Sequence, residues 1–523
     1  MAETIKSIHP EYKARKDKWA DAANLYYLEG GFADGAYLVA HGGEVKDGIE
    51  TDKFKKRKEL AWIPSYGSLI IDSRVGHLFK QEISRTTENP ELEKWLADVD
   101  GNGTRLNDFL RTSMKEAMIY DHVWVFMDLP RSQVIAAKEE SGEPVTKADV
   151  KSEGIRPYIY AVNPTDVLDW DVDRAKKLRW VKVRETHYVY GVLPLGESDP
   201  LVARSTVEFI RIWTRQNTTL YRPNDKDGGY TVEGVPVEHN LGVVPGLCLY
   251  NKLGKMGQLV GRSELEDIVP LAKALYNRLS EATELFRNQS FSILTIPVQS
   301  ADEDITGIKV GTDRALPYDA SLPGGKAPAF ISADSANATV LADHIGWIVE
   351  EIHRIGAIKY MGGVAQSGVA WAFDWEMVNH SLTSKADLLK EFELKLAALW
   401  FAYETGSYPS LEEAELDYQV QYPTTFSLAD PQTEAELADK LSRLKLPADV
   451  WKEFVRSLVR KVLPDLSPDV AGRLDDAITA WDPDAGGVED LLSSFDAGRV
   501  DAINGKTPSL GAEEPPQGPG TLQ

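Results

Sequence analysis

The sequence of 523 residues is poor in cysteine and in long apolar runs. Its single cysteine, Cys248, excludes an intrachain disulfide framework and any metal site built from several cysteines. No apolar run approaches the roughly 18 residues that a membrane-spanning helix needs. The N-terminal segment MAETIKSIHPEYKARKDKW has no apolar core, so we expect no signal peptide. Cys248 lies in the apolar run GLCLY, which favours a small buried residue over a nucleophile.

Positive charge is also scarce. The chain has 58 Lys and Arg against 81 Asp and Glu, a net charge of −23, and more than half of this excess lies in residues 401–523. Tight duplex binding requires Lys and Arg to neutralise phosphates and release counterions. The balance therefore excludes a protein that wraps DNA, but it is compatible with one past which DNA moves.

Apolar and aromatic residues are present in ordinary amounts, with 43% hydrophobic residues, 13 Trp and 20 Tyr. This composition argues against global disorder, and the length indicates about three domain-sized units. Segments rich in β-branched and aromatic residues predict strands in a mixed α+β region that ends near Asn251. They are His122–Met127, Pro157–Val162, Leu178–Tyr190, Val207–Trp213 and Thr218–Arg222.

Beyond this region the pattern predicts long helices. One follows Ser263, which with Glu266 forms a capping-box pattern, and a second runs from Asn337 to Tyr360. A Pro- and Gly-rich module separates them. Apolar residues repeat three and four apart along both helices: Leu265, Ile268, Leu275, Leu279, Leu341, Ile345, Ile348 and Ile352. Such narrow seams are typical of a helical hairpin inside an enzyme or of helices that also pack against neighbouring copies, and periodicity does not choose between them.

Motifs for catalysis or metal binding are few. None of the nine His has zinc-site spacing, and there is no GxSxG motif. Asp98, Asp100 and Asn102 match the first half of a calcium loop. Phe109 stands where that loop needs a bidentate Glu, so we predict a turn in which Thr104 or Asn107 caps the next helix.

One acidic cluster could hold Mg²⁺ for chemistry on nucleic acid. It consists of Asp166, Asp169, Asp171 and Asp173 in the segment PTDVLDWDVD. No Lys, His or Gly-rich segment is placed beside it in the sequence, which favours turn aspartates at a strand end. The magnesium-dependent enzyme remains an alternative hypothesis.

Several segments, in order, resemble the portal protein of tailed bacteriophages, the head–tail connector. The first is HPEY near the N-terminus, followed by LADVDGNGTRLNDFLRTSMKEAMIYDHVWVFMDLP and YIYAVNPTDVLDW. The next are LGVVPGLCLYNK and GRSELEDIVPLAKALYNRLSEATELFRNQ, which is similar to the family's entry into its first stem helix. The resemblance covers about residues 9–425. The long Gly-rich segment near the N-terminus and the acidic C-terminal tail depart from commoner portal proteins.

The resemblance implies an elongated α+β subunit with an α/β wing, a two-helix stem, a small α/β clip and a helical crown, assembled into a ring. The implied divisions are the wing (1–262), stem helices (263–292 and 337–360), the clip (293–336), a tunnel loop (361–375), a long helix returning to the wing (376–425), the crown (426–481) and a flexible acidic tail (482–523). The apolar seam residues above would pack the stem.

The resemblance also implies a role for the tunnel loop beside DNA in the channel. The implied channel residues are Lys359, Gly362, Gly363, Gln366, Ser367 and Gly368. The aromatic residues Trp371, Phe373 and Trp375 would anchor the loop, since a closed duplex offers no free base faces for stacking.

As a portal, the protein would form a ring, typically of twelve subunits, at one vertex of the capsid in the virion, after assembly in the host cytoplasm. Its partners would be the large terminase subunit, a head–tail adaptor, the major capsid protein, the scaffold protein and double-stranded DNA in transit, with no membrane. We expect no catalytic residue, no cofactor and no resident metal. A minor head protein is a further alternative.

Overall fold

The computed structural model divides the chain into two units, Met1–Phe426 and Ser427–Gln523. Part of each unit can be described. The described residues are 5–130, 155–191, 197–224, 229–256, 258–290, 293–298, 316–319, 329–331, 335–357, 368–423, 426, 452, 455–456 and 468–480. Within them the fold is mixed α+β, with several antiparallel sheets, as the sequence predicts.

Five helices form the N-terminal part of the first unit. They are α1 (Pro10–Tyr27), α2 (Asp52–Leu60), α3 (Tyr66–Leu78), α4 (Pro90–Ala97) and α5 (Leu106–Tyr120). Pro64 lies between α2 and α3, just before the second of these helices begins. Buried Trp19 on α1 donates a hydrogen bond of 2.8 Å from Nε1 to Oδ2 of Asp121, which ties this helix to the residue after α5.

Most strands of the first unit join two antiparallel sheets. The first eleven are β1 (Val45–Lys46), β2 (Ile49–Glu50), β3 (Ser84–Thr87), β4 (His122–Asp128), β5 (Tyr158–Val162), β6 (Val167–Val172), β7 (Leu178–Tyr190), β8 (Arg204–Thr214), β9 (Asn217–Pro223), β10 (Tyr230–Glu238) and β11 (Gly246–Tyr250). A five-stranded sheet has the order β10-β9-β8-β7-β6, and a three-stranded sheet has the order β11-β4-β5. Each predicted strand is present, while β1, β2, β3, β6, β10 and β11 were not predicted.

Two long helices, α6 (Ile268–Ser290) and α7 (Ser335–Gly356), pack against each other. Here "the helix pair" means α6 and α7. The capping box predicted at Ser263 is wrong, because residues 264–267 form turns and α6 begins only at Ile268. The Ser263 hydroxyl instead donates to the carbonyl oxygen of Ile119 at 2.6 Å and accepts from the backbone N–H of Leu265.

A small sheet lies between the two long helices in the sequence, with the order β13-β12-β14. Its strands are β12 (Ile293–Val298), β13 (Leu316–Asp319) and β14 (Ala329–Ile331). Strand β12 pairs in parallel with β13 and antiparallel with β14. The Pro- and Gly-rich module is therefore built on a sheet in its described residues.

The third long helix, α8, spans Gly368–Thr405. It begins before residue 376, so the backbone of residues 368–375 is helical and not part of a loop as expected. The physical reason is local: after Gly368 the sequence VAWAFDW contains neither glycine nor proline to interrupt a helix. A short helix α9 (Leu411–Asp417) and strand β15 (Tyr418–Gln421) follow, and β15 pairs with β3.

The core of the first unit has two clusters. The larger joins helices α3 to α8 with one side of the β4 sheet. The smaller is aromatic and lies where the two main sheets meet, with Trp19, Trp124, Phe126, Trp170 and Trp213 among its members. The packing of large aromatic rings fixes the position of the sheets relative to α1.

The second unit is described mainly through helix α10 (Pro468–Ala480). Arg456 pairs with Asp475 of this helix at 2.6 Å. Most of the expected crown, and the whole of the expected tail at residues 482–523, lie outside the described residues. No helix within the described ranges is long and apolar enough to cross a membrane.

Candidate functional site

The helix pair carries the apolar seam residues that the sequence predicts to be functional. Helix α6 has 23 residues and is about 35 Å long at the usual rise per residue. The structure buries five of the predicted seam residues completely and three in part. The fully buried ones are Leu265, Ile268, Leu275, Ile348 and Ile352, and the half-buried ones are Leu279, Leu341 and Ile345. Leu265 precedes the helix and lies in the turn before it.

One face of α7 carries large apolar side chains that remain in solvent. Val340 and Trp347 are seven residues apart, so they lie on the same side of the helix, and their exposed fractions are 69% and 57%. His344 lies between them and stacks on the Trp347 ring, with 6.0 Å between the ring centroids. Phe286 near the end of α6 is exposed as well. We call Val340, His344 and Trp347 the α7 stripe.

The start of α6 and the end of α7 meet at a buried carboxylate. Glu264 accepts a hydrogen bond from Nζ of Lys385 on α8 at 3.0 Å and pairs with Nζ of Lys252 at 3.2 Å. Arg74 on α3 also pairs with Glu264. The same guanidinium donates a hydrogen bond to the carbonyl oxygen of Gly356 at 2.8 Å. We call Arg74, Lys252, Glu264 and Lys385 the Glu264 junction, since it joins α3, α8 and both members of the helix pair.

Three cations around one carboxylate leave this junction with an excess of positive charge. Burial, followed by repulsion from Arg74, lowers the pKa of Lys385 to about 7. Burial and the neighbouring Lys385 and Arg74 lower the pKa of Lys252 to about 8. Burial lowers the pKa of Arg74 to about 10. Asn251 moderates the excess, because its Oδ1 accepts a hydrogen bond of 2.5 Å from Lys385.

The Gly-rich segment after α1 is bound to the middle of α6. The Tyr276 hydroxyl donates to the carbonyl oxygen of Phe32 at 3.0 Å. Asn277 donates to the carbonyl oxygen of Tyr37 at 3.0 Å and accepts from the backbone N–H of Val39 at 2.8 Å. One asparagine side chain thus satisfies two backbone groups of the segment, which holds it against the helix pair.

A buried ion pair also ties the Gly-rich segment to α2. Arg57 on α2 and Glu44 are both almost fully buried, with 2.9 Å between Nη2 and Oε2. The same guanidinium donates to the carbonyl oxygen of Val39 and lies 2.9 Å from the His41 ring. The Gly-rich segment after α1 is therefore an ordered part of the first unit.

The four aspartates of the candidate magnesium site do not share a ligand-binding position. Each carboxylate instead forms an ion pair with its own cation. The pairs are Asp166 with Arg184, Asp169 with Lys182, Asp171 with Arg179, and Asp173 with Arg215. Asp169 and Asp171 lie on β6, and Asp166 and Asp173 directly flank it. Within the described part of the chain, no group of three or more His, Cys, Asp or Glu is arranged to hold a metal ion.

The half calcium loop is a turn, as predicted, but its helix cap is different. The Asp100 carboxylate accepts from the backbone N–H of Asn102 at 2.9 Å and from the Thr104 hydroxyl at 2.8 Å. Burial raises the Asp100 pKa slightly, and these hydrogen bonds outweigh it, so the pKa is lowered. Arg105 occupies the N-cap position of α5 without a side-chain hydrogen bond, so capping by Thr104 or Asn107 is wrong.

Cys248 lies on β11 and is partly buried. Burial strongly raises the pKa of its thiol, which keeps it protonated near neutral pH. A protonated thiol is a poor nucleophile, in agreement with the sequence prediction.

Most of the expected channel residues lie outside the described residues. They are Lys359, Gly362, Gly363, Gln366 and Ser367. Gly368 is the first residue of α8, and the expected loop anchors Trp371, Phe373 and Trp375 follow on its backbone. The backbone of these three residues is therefore helical and does not form the expected loop.

Sequence reasoning missed the charged residues that join the elements of this site. Glu264 stands between two residues that the pattern marked as capping and apolar, and Lys385 sits among apolar positions of α8. Glu393 on α8 was also missed. It is fully buried, pairs with Arg85 at 2.6 Å and accepts from the Tyr422 hydroxyl at 2.6 Å. The available signal was a charged residue inside an apolar helical stripe.

Comparison with known proteins gives structural similarity only. No protein-family model matches the chain, and no curated protein matches it. Among solved structures, a chain of the "Virion of native gene transfer agent (GTA) particle" is 10% identical, with a TM-score of 0.32 over 77% of this chain and 90% of that chain.

Two further similarities are to the necks of such particles. A chain of the "Neck of native GTA particle computed with C12 symmetry" is 9% identical, with a TM-score of 0.35 over 75% of this chain and 89% of that chain. A chain of the "Neck of empty GTA particle computed with C6 symmetry" is 9% identical, with a TM-score of 0.31 over 73% of this chain and 85% of that chain. These identities and TM-scores are too low to assign the chain to a family.

Proposed function

We propose that this chain is the portal subunit of a tailed-phage-like particle, which assembles into a ring and forms a conduit for double-stranded DNA during packaging and ejection. The observation that carries the proposal is the helix pair with the α7 stripe. Val340 and Trp347 are large apolar side chains left in solvent on a helix whose other face is buried in its own subunit. Such a face is typical of a contact with another protein surface.

The order of elements supports the proposal. A wing-like α+β region precedes α6, a small sheet separates α6 from α7, and α8 returns to the same unit. This order matches the wing, stem, clip and returning helix that the sequence resemblance implies. The tunnel loop, expected at residues 361–375, would then be limited to the residues before α8, and the small sheet would be the clip that meets terminase and later the adaptor.

The charge of the chain suits a conduit. A net charge of −23 gives the subunit few phosphate-binding groups, so DNA would pass along the channel without being held. In the assembled particle the ring would occupy one capsid vertex, in contact with the major capsid protein and, during assembly, with the scaffold protein.

The magnesium-dependent enzyme is the weaker hypothesis. The four aspartates that it requires are each committed to a separate ion pair. A carboxylate held by Arg or Lys is a poor ligand for a metal ion unless that cation is displaced. No observation among the described residues favours the minor head protein over the portal.

The test is the native mass of the purified full-length chain, with particle images of the same fraction. We expect a ring of about twelve subunits, roughly 700 kDa, with a central hole wide enough for a duplex. The same preparation should show no metal-dependent cleavage of DNA. A compact monomer that cleaves DNA in the presence of Mg²⁺ would contradict the portal function and favour the enzyme.

A further inference from the structure

A loop after β11 presents two exposed apolar residues, one on each side of a lysine. In residues 252–262, Met256 is fully exposed and Leu253 is 68% exposed. Lys255 lies between them and is exposed, whereas Lys252, before Leu253, pairs with Glu264. Exposed single apolar residues are ordinary, but two beside each other at the tip of a basic loop form a small contact surface. We call Leu253, Lys255 and Met256 the loop tip.

The backbone beneath the loop tip is tightly built. A Cβ atom on Gly254 would lie 2.1 Å from the carbonyl oxygen of Val260, and one on Gly261 would lie 2.7 Å from that of Lys252. The backbone N–H of Arg262 donates to the carbonyl oxygen of Lys252 at 3.0 Å. Only glycine fits at these two positions, so the backbone on both sides of the tip is held close together, which lowers the entropic cost of binding.

The opposite side of the same unit has a complementary surface. Helix α9 buries only Ala414, and its exposed residues are mostly acidic. A cavity of about 660 Å³ lies between α9, α8 and β15. Its lining includes Glu412, Glu415 and Leu416, and the Leu416 side chain is 81% exposed. This volume is within the range of ligand pockets, so it can accept an apolar side chain such as methionine.

The two surfaces lie on different sides of α8. Lys385 on this helix faces Asn251 at the root of the loop. Asp387 and Lys390 line the cavity. Since each residue advances 100° around a helix, these two positions are about 200° and 140° away from Lys385. A loop tip rooted on one side of α8 therefore points away from the cavity on the other side.

We propose that the loop tip of one copy of this chain binds the acidic cavity beside α9 of the next copy, in a head-to-tail contact. Met256 would enter the cavity beside Leu416, and Lys255 would meet Glu412. Lys255 and Glu412 are both exposed, so both are accessible for this contact. Two different surfaces that bind in this way generate a closed ring or an open helix, so the proposal rests on the proposed function and specifies where its subunits meet.

The test is site-directed cross-linking between two kinds of full-length chain. One carries Met256→Cys and the other carries Leu416→Cys, and they are mixed before assembly and treated with a short bifunctional maleimide. Cys248 is left in place, because burial keeps its thiol protonated, and the wild-type chain reports its background. The matched control replaces Met256→Cys by Leu201→Cys, at a residue that is 92% exposed in another loop.

We expect cross-linked product that contains both kinds of chain, well above the Leu201→Cys control. Charge swaps give a second, independent test. Lys255→Glu alone and Glu412→Lys alone should each reduce assembly, and the double swap should restore it because the opposite charges are paired again. All of these positions are exposed, so the variants keep the fold of the subunit.

The outcomes separate this contact from the proposed function. A ring without cross-linking above the control would overturn the contact and leave the portal function standing. Cross-linked chains that never form a ring would support the contact and count against the portal. Unassembled chains without cross-linking would contradict both.

Discussion

The guanidinium of Arg74 donates a hydrogen bond of 2.8 Å to the carbonyl oxygen of Gly356, in the last turn of α7. The last carbonyl groups of a helix have no partner within the helix, and a cation there also interacts favourably with the helix dipole. Because Arg74 pairs with Glu264 as well, the end of α7 and the start of α6 are held by one side chain. The Glu264 junction therefore fixes the end of α7, which precedes the proposed tunnel loop in the sequence.

We predict that Glu264→Gln destabilises the first unit by about 3–5 kcal/mol, since it leaves buried cations without their carboxylate. Lys385→Met should cost less, because Arg74 and Lys252 still pair with Glu264 and the methionine fills the space. Urea unfolding of each variant measures the difference.

The matched control for this comparison is Glu391→Gln, on the same helix as Lys385. Its exposed pair with Lys395 contributes about 0.3–0.5 kcal/mol. A Lys385→Met variant that loses more stability than Glu264→Gln would show that the lysine, and not the shared carboxylate, holds the junction.

The Glu264 junction should make stability depend on pH. Lys385 has its pKa lowered from 10.5 to about 7 in the folded chain, so between these values the unfolded chain binds more protons than the folded one. The free energy of unfolding therefore gains a positive slope as pH rises from about 7. Lys252, with its pKa lowered to about 8, acts in the same direction.

Lys385→Met should flatten this slope. The measurement is the free energy of unfolding of both chains between pH 7 and pH 9, at constant ionic strength. Equal slopes in the wild-type and variant chains would mean that Lys385 is not the group that titrates.

The aspartates on and beside β6 should respond to substitution as ion-pair partners. Asp169→Asn should cost about 1–3 kcal/mol, because Asp169 is buried and accepts hydrogen bonds from Lys182 and Ser7. Asp171→Asn should cost less than about 1 kcal/mol, because its pair with Arg179 is exposed.

Titration with Mg²⁺ tests whether the same aspartates bind a metal ion. We expect the melting temperature of the wild-type chain to be the same with and without Mg²⁺, and Asp171→Asn to behave identically. A rise in melting temperature with Mg²⁺ that Asp171→Asn abolishes would restore the magnesium hypothesis.

The α7 stripe should govern assembly without governing the fold. Trp347→Glu replaces an exposed side chain, so the subunit should keep its circular dichroism spectrum and lose its ring in native mass measurements. Ile348→Asp, one residue along, places a charge in the core and should unfold the subunit.

Leu201→Glu is the control for the α7 stripe, since Leu201 is exposed in a different region. It should leave both the spectrum and the native mass unchanged. Rings that persist in Trp347→Glu would remove the α7 stripe from the subunit contact.

Local sequence pattern predicted much of the fold. Leu178–Tyr190 was predicted at the bounds that the structure has, because alternating β-branched and aromatic residues bounded by breakers define a strand locally. Helix α5 follows the predicted turn, as expected, and its apolar spacing is regular. The start of α8 was missed, because aromatic residues after Gly368 are compatible with either a loop or a helix.

The candidate site likewise has one part that the sequence predicted and one part that it did not. The apolar seam of the helix pair was readable from spacing, because periodicity records which face of a helix is buried. The partners of charged residues were not readable: Arg74 and Glu264 are 190 positions apart, and nothing in either segment identifies the other. The same holds for the four aspartates, whose cations come from β7 and from the turn after β8.

The sequence by itself determined the mixed class of the fold, the long helices and the deficit of positive charge, since each of these is a local or summed property. Tertiary structure alone decided that Lys385 is buried beside Glu264 and that Met256 and Leu416 are exposed on different sides of α8. The physical reason is that ion pairs and surfaces arise from contacts between distant segments, and the cost or gain of such a contact exists only once the chain has folded.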